Sequence, residues 1–289
     1  MAKHPIRVHK KVQLEGGCMV VAFSGWMDGG NVSTGTVDHL VESLGALPLA
    51  EIDSEDFYIY SFPASMEVSA LFRPHGMIED GLVQSFEAPS NAFFVDELNR
   101  LVLFSGHEPN MRWREFADCV FKVAADVGVT RIYFVGSVGG MVPHTREPRL
   151  FSAVSAPRLK EDLESFGVRF TNYAGPVSIV TYMMTQAEER SMGMASVVAE
   201  IPAYVQGRNP RCVAAVARQI TAILGLTVDL DPLRDPVAQW EKRLNEAVEE
   251  RSELASHIRK LEEDYDNEIF DTQMGDLKDW LEQQGIRVD

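Results

Sequence analysis

The sequence predicts a three-layer α/β/α sandwich followed by a helical, coiled-coil-like appendage. Two observations predict the sandwich. Short apolar runs alternate with amphipathic segments of about 10–17 residues through roughly the first 228 positions, and that rhythm is the mark of strands in a largely parallel sheet covered by helices on both faces. One of those runs, residues 131–137 (RIYFVGS), is apolar on both alternating faces, as a strand buried on both sides must be. A third observation predicts the appendage: beyond residue 229 the apolar positions narrow to a stripe spaced three and four apart.

Taken in order, residues 18–24 (CMVVAFS) read as a buried strand and 31–44 as a helix, with Val32, Val37, Leu40, Val41 and Leu44 near helical spacing. Residues 49–53 read as a strand and 57–61 as an extended segment. Residues 74–81, with Pro74, Gly76 and Gly81, read as a loop. A strand is expected at 100–105. Residues 111–127 form a helix with Trp113, Phe116, Ala117, Val120, Phe121 and Ala124 on one face. The rhythm continues with a helix at 157–166, a strand at 168–171, a helix at 177–190, a strand at 195–201 and a helix at 211–224. Residues 1–228 are thus expected as the core domain and 229–289 as a tail. In the tail Val237, Trp240, Leu244, Ala247, Arg251, Leu254, Ile258, Leu261 and Tyr265 make a heptad seam with one charged interruption at Arg251. A second short helix is expected at 271–284 around Leu277, Trp280 and Leu281.

Composition excludes several classes. The chain has 289 residues, 45% hydrophobic and 24% charged, which suits a globular protein with a sizeable core. Its net charge of −16 opposes binding to nucleic acid or to anionic membranes, both of which need clustered Lys and Arg. About −10 of that charge lies in the tail, consistent with a solvated face around the stripe. Residues 1–13 lack the apolar stretch of a secretory signal and no run reaches the ~20 apolar residues of a membrane span, so the cytoplasm is expected. Cys18, Cys119 and Cys212 are far apart without a CxxC and are expected as buried thiols. The seven histidines are scattered without HExxH or HxH spacing, so neither metal nor cofactor is expected.

Four stretches remain as candidate sites. Gly25-Trp26-Met27-Asp28-Gly29-Gly30-Asn31 joins the first strand to the first helix. Helix N-terminal amides bind anions and glycines let a ligand approach, yet the run has neither GxGxxG nor GxxxxGK[ST] spacing. A tight turn with an Asn or Ser cap is the plain reading, and an exposed Trp26 would suit contact with a protein. The loop after the central strand runs from Gly136 through Ser137 and Gly140 to Pro143-His144-Thr145-Arg146. It is expected beyond a carboxyl end of the sheet, where open α/β folds place their sites. His144 and Arg146 suit a base and an anion clamp, or simply a hydrogen-bonded pair. Gly-Ser-Val-Gly falls one residue short of the GxSxG elbow, so Ser137 is not expected as a nucleophile. Asn172-Tyr173-Ala174-Gly175-Pro176 reads as a helix start with Pro176 near the first position. Glu200, near the end of the last core strand, either satisfies a polar loop, the plain reading, or pairs with Arg146 across the loop face.

In that order and rough spacing the four stretches resemble the proteasome assembly chaperone family, in the bacterial and archaeal branch related to the eukaryotic second chaperone subunit. The resemblance rests on the Gly25–Asn31 turn, Pro143-His144-Thr145-Arg146, Asn172-Tyr173-x-Gly175-Pro176 and Glu200-x-Pro202-x-Tyr204-Val205, and covers about residues 15–230, the tail also being similar. It implies a sandwich of the phosphorylase/hydrolase-like fold, a homo-oligomer with a trimer favoured, no established catalysis, and proteasome α-subunits as partners where the host has them. Similar proteins dock through a hydrophobic–Tyr–x terminus. This chain ends Gly285-Ile286-Arg287-Val288-Asp289, so docking through that end is not expected. The contrasting expectation is a small-ligand binder or hydrolase with Asp28, His144, Arg146 and Glu200 around one pocket. A third is a scaffold recruiting a basic partner through the acidic tail.

Overall fold

Parallel pairing sets the architecture. In a computed structural model, which describes the backbone of residues 5–283 and side chains from residue 5 to 269, four strands lie parallel at the centre of a nine-stranded sheet. They are β7 (Leu101–His107), β2 (Gly17–Ser24), β8 (Val129–Gly140) and β11 (Gly193–Pro202). On one flank β6 (Ala92–Asp96), β3 (Leu47–Ile52) and β1 (Ile6–Val8) continue the sheet in antiparallel pairs. On the other, β9 (Leu150–Ser152) runs antiparallel to β11, and the two-residue β10 (Arg169–Phe170) pairs parallel with β9. The expectation of a largely parallel sheet holds for the four core strands, while the flanks join them through antiparallel pairs and only β10 with β9 is parallel outside the centre.

Strand alternation divides the core into two halves. Met19, Val21 and Phe23 of β2, with Val102, Phe104, Ile132 and Phe134, face helices α3 (Trp113–Val127) and α5 (Ile179–Ala187). Val20 and Ala22, with Leu101, Leu103, Tyr133 and Val135, face α1 (Val32–Leu44) and α6 (Pro210–Leu224). Helices therefore cover both faces, as the apolar run in β8 requires. The short α4 (Pro157–Glu164) closes one corner, with Leu159 against Gly193 of β11. Phe116 of α3 is fully buried and meets Phe57 edge-on at 5.1 Å, Phe23 at 5.9 Å and Phe104 at 6.4 Å between ring centroids.

Three departures from the sequence reading concern segments outside this core. Residues 74–81 are not a loop. They belong to a hairpin of β4 (His75–Glu79) and β5 (Leu82–Glu87), preceded by the one-turn helix α2 (Met66–Ala70). Asp80 and Gly81 both adopt positive φ, 49° and 78°, the geometry of a two-residue hairpin turn for which Asp-Gly is the preferred sequence. The tail is not one continuous seam. Helix α7 (Arg234–Glu249) ends at Glu250, and α8 (Ser252–Gln283) starts after Arg251, the charged interruption of the stripe. Residues 271–283 continue α8 rather than forming a separate helix. Gln284 and the side chains of Leu277, Trp280 and Leu281 lie outside the described residues.

The aromatic cluster predicts its own test. Phe116→Ala leaves a cavity among Phe23, Phe57 and Phe104 and is expected to cost about 3–5 kcal/mol in urea unfolding. A loss below about 1 kcal/mol would show that the cluster does not support the fold.

Candidate functional site

The carboxyl ends of the four central strands lie on one side, and the four candidate stretches emerge there or beside it. Where β2 and β8 part, backbone groups need new partners. Ser33, fully buried in α1, supplies them: Phe23 N–H donates to its Oγ (3.1 Å), and its hydroxyl donates to Val135 O (2.5 Å). The Gly25–Asn31 turn then crosses to β8, with Ser137 N–H donating to Met27 O (2.9 Å) and Ser137 Oγ to Gly29 O (2.6 Å). Ser137 is fully buried in these bonds and is not available as a nucleophile.

Asp28, not Asn31 or Ser33, anchors the first turn of α1. Its carboxylate accepts from Thr34 N–H (3.1 Å) and Thr34 Oγ1 (2.8 Å). Burial raises its pKa, and the Thr34 bonds oppose that shift. Asn31 sits in the left-handed region at φ 52° without a side-chain cap bond. The two central glycines allow close packing rather than ligand approach: a Cβ at Gly29 would lie 2.7 Å from Ile201 Cδ1, and one at Gly30, where φ is 66°, 2.7 Å from Asn209 Cβ. Gly30 O accepts from Asn209 N–H (2.8 Å), and Asn209 Oδ1 caps α6 through Cys212 N–H (3.0 Å). Of this turn, only Gly25, Trp26 and Asn31 are exposed.

Glu108 escaped the sequence reading. One carboxylate oxygen accepts from Ile179 N–H (2.9 Å) and the other from Trp26 N–H (3.2 Å). It therefore caps α5 and holds the β2–α1 turn at once. The α5 helix begins at Ile179 with Ser178 as its cap, three residues later than Pro176 suggested. Ahead of it Asn172 and Tyr173 stand in an exposed loop, Tyr173 donating to Pro176 O (3.0 Å). The only lead to Glu108 in sequence was its position just after a strand.

His144, Thr145, Arg146 and Glu200 form a different group, covered by the tail. Buried His144 approaches Tyr204 Oη through Nδ1 (2.8 Å) and Asn245 Oδ1 through Nε2 (3.1 Å), and its own backbone N–H donates to Tyr204 Oη (2.8 Å). One neutral tautomer satisfies all three bonds: Nε2–H donates to Asn245 and Nδ1 accepts from the Tyr204 hydroxyl. The expected His144–Arg146 pair is therefore absent. Thr145 Oγ1 donates to Glu262, and Arg146 reaches Asp266 from Nε (2.9 Å) and Nη2 (2.8 Å). Glu200 pairs with Arg149 (3.4 Å) rather than Arg146, because the acidic face of α8 takes Arg146 instead. Arg149 also lies over the Tyr265 ring at 4.6 Å, and Tyr265 donates to Glu147 O (2.7 Å). The buried seam residues Trp240, Ile258 and Tyr265 thus serve a tail packed on its own body.

The candidate residues leave little room for a small ligand between them. His144, Arg146 and Glu200 line a cleft of about 10 Å³ that excludes Asp28, space for about one water. A larger open cleft of about 380 Å³ lies where α6 meets the start of the tail, between Arg211, Arg218, Leu230, Arg234 and Glu241. There Arg211 pairs with Glu241, and Arg211 and Arg218 with Glu147. Cys119 and Cys212 are buried and pushed up to about 11 and about 12 by desolvation, whereas Cys18 is half-buried. Among the described residues no group of three His, Cys, Asp or Glu is placed to hold a metal ion, and no helix is long and apolar enough to cross a membrane.

Docking of the tail is expected to depend on pH through His144. Burial, with Arg211, lowers its pKa below the ordinary value, against the opposing pull of Asn245, Glu262 and Glu241. A depressed imidazole pKa contributes stability above the unfolded value of about 6.5, lost as pH falls through the folded value. Asp266, held low by Arg146, contributes in the same sense only in the more acid range. Trp240 emission and amide exchange in α8 should therefore report loosening as pH is lowered from 8 to 5, and His144→Gln should abolish that step. A response identical in parent and variant would remove His144 from the account.

Comparison with known proteins adds a family. The family model described as PAC2 family matches residues 22–248. A proteasome-assembly chaperone homologue from Mycobacterium tuberculosis superposes with a TM-score of 0.72 at 29% identity, covering 83% of this chain and 99% of its own. A PAC2 family protein from Streptomyces avermitilis gives 0.70 at 25% identity, with 83% and 99% covered. An archaeal proteasome activator from Pyrococcus furiosus gives 0.63 at 20% identity, with 84% and 97% covered, and shares the fold. A search of curated proteins gave no match. With the family model spanning most of the sheet, its helices and α7, the chain belongs to the PAC2 family.

Proposed function

We propose that this protein is a non-catalytic, chaperone-like module that binds other protein chains in the cytoplasm, as a homo-oligomer with a trimer favoured. Residues 1–228 act as the binding body and residues 229–289 as an acidic tail, of which Trp240, Ile258 and Tyr265 are buried. The observation that carries the reading is how the polar groups at the sheet end are used. Asp28, Ser137, Glu108 and His144 are committed to internal bonds, while Trp26, Tyr173 and Val177 face solvent. Glu108 fixes the loops that carry Trp26 and Val177 to one another. Ordered, exposed aromatics on a rigid frame suit protein recognition, since Trp and Tyr dominate interface energetics. Gly25, Asn31 and Asn172 flank that surface.

The partner class follows from the relative at 29% identity, a proteasome-assembly chaperone homologue: α-subunits of the proteasome where the host makes them. A hydrolase or ligand-binding role finds no comparable support, because Asp28 does not line the cleft shared by His144, Arg146 and Glu200.

The reading is tested by titrating purified α-subunits from the same host against the full-length protein, with native mass measured in parallel. A trimer that binds α-subunits is expected. Trp26→Ala with Tyr173→Ala should raise Kd about tenfold or more, equivalent to losing ~1.4 kcal/mol or above. Absence of binding by the parent protein would reject the partner, and an unchanged Kd in the double variant would reject the surface.

A further inference from the structure

The bend between α7 and α8 has no cause in the local sequence. Where this chain ends α1, α3 and α6 it places a glycine in the left-handed region, at Gly45, Gly128 and Gly225, the usual stop. After α7 the corresponding residue is Glu250, right-handed at φ −67° and ψ −14°. Neither Pro nor Gly occurs from residue 237 to 274, so the ordinary sources of a kink are missing. Glu249, Glu250 and Arg251 are good helix formers. Only Glu250 and Arg251 stand between the two helices, and Arg251 O already accepts from Ala255 N–H (3.0 Å) as in a helix. The apolar stripe keeps its spacing of three and four from Val237 through position 251 to Tyr265. The helices are therefore in phase, as in one straight helix.

Docking supplies the missing cause. Glu241 of α7 reaches Glu147 through Arg211, and Tyr265 of α8 donates to Glu147 O (2.7 Å). In a straight helix Glu241 and Tyr265 would stand about 36 Å apart, farther than those side chains span even when extended, so the contacts require the bend. At the bend, carbonyls ending α7 and N–H groups starting α8 cannot pair with each other as in a continuous helix. What offsets that loss is narrow. Among the described side chains of α8 only Ile258 and Tyr265 are buried. Charged pairs make most of the remaining contact: Arg146 with Glu262 and Asp266, and Arg149 and Arg169 with Glu268. Asp266 and Glu268 are half exposed, and pairs of that kind contribute little each and are screened by salt.

We infer that residues 250–251 are a hinge and α8 a latched strap. When its carboxylates part from Arg146, Arg149 and Arg169, α7 and α8 straighten into one helix over residues 234–283 and uncover the arginines of the loop after β8. Helix α7 stays in place in both states, because Trp240 is buried and Asn245 is bonded to His144. The released segment then extends an existing helix and needs no new nucleus. Straightening sets Glu249 and Glu253 one turn apart, a weak repulsion that salt screens along with the latch.

A distance measured by electron spin resonance between nitroxides at Lys242→Cys and Asn267→Cys, both exposed positions, tests the hinge on the full-length chain. Cys18→Ser removes the half-buried thiol, Cys119 and Cys212 being buried, and excess unlabelled protein removes distances between copies. A straight helix places the two sites ~37 Å apart, and the parent is expected to show a shorter distance. In the variant Glu262→Arg, Tyr265→Ala, Asp266→Arg, which alters α8 alone, a peak near that length should replace it. Near-UV circular dichroism checks the body. Adding Ser252→Pro, tolerated at the first residue of α8 but not inside a continuous helix, should abolish the long peak. A triple variant that keeps the parent distance overturns the latch. A broad spread without the long peak overturns the hinge, since α8 then merely comes loose. A parent already at the long distance, or a long peak that survives Ser252→Pro, overturns the inference as well.

Discussion

Parallel pairing of β2 with β7 on one side and β8 on the other is the constraint from which the rest follows. A parallel strand cannot return by a tight turn, so each must be joined by a crossover, and the crossovers are helices that cover the sheet. With α3 and α5 on one face and α1 and α6 on the other, all four central strands lose access to water. Their loops must then emerge at the ends, and those after β2, β7, β8 and β11 share one end. The same arrangement creates a polar problem, because backbone groups are left over where strands diverge. Ser33, Ser137 and Asp28 are spent on that problem. Residues that look available for chemistry in a linear sequence are thus part of the frame.

How much was legible in the sequence follows the same division. The core strands and helices were readable because burial on two faces leaves uninterrupted apolar runs and a clear helical stripe, as in β8 and α3. The antiparallel flanking strands β1, β6 and β9 were not, being short, and β6 carries its alternation in only five residues. The hairpin was missed because its glycines were weighed as punctuation. Asp80-Gly81 between Ile78 and Leu82 held the needed signal, a turn that wants two positive φ angles.

The site was less legible than the fold. The four stretches do lie at loops of the sheet, yet spacing along a chain carries no information about which carboxylate reaches which arginine. Arg146 was expected to meet Glu200 and instead meets α8, a helix more than a hundred residues away. Glu108 joins two loops that are separated by about 150 residues and leaves no motif of its own. Hydrogen bonding of this kind is decided by tertiary proximity, which the linear pattern of residue types does not encode.

Charge distribution ties the tail to the body. The chain is strongly acidic, and the helical tail carries much of that excess. Yet Arg146, Arg149, Arg169 and Arg211 gather on the body where the tail lies, facing Glu262, Asp266, Glu268 and Glu241. Each exposed pair contributes little by itself, about 0–1 kcal/mol. What holds the tail is their combination with the buried anchors Trp240, Ile258 and Tyr265 and with the satisfied His144 network. A tail held in this way buries Trp240, Ile258 and Tyr265 of its stripe and leaves charged residues outward. Among the described residues, many of the exposed large apolar side chains then lie at the loops of Trp26 and Tyr173 and on the β4–β5 hairpin, away from the tail.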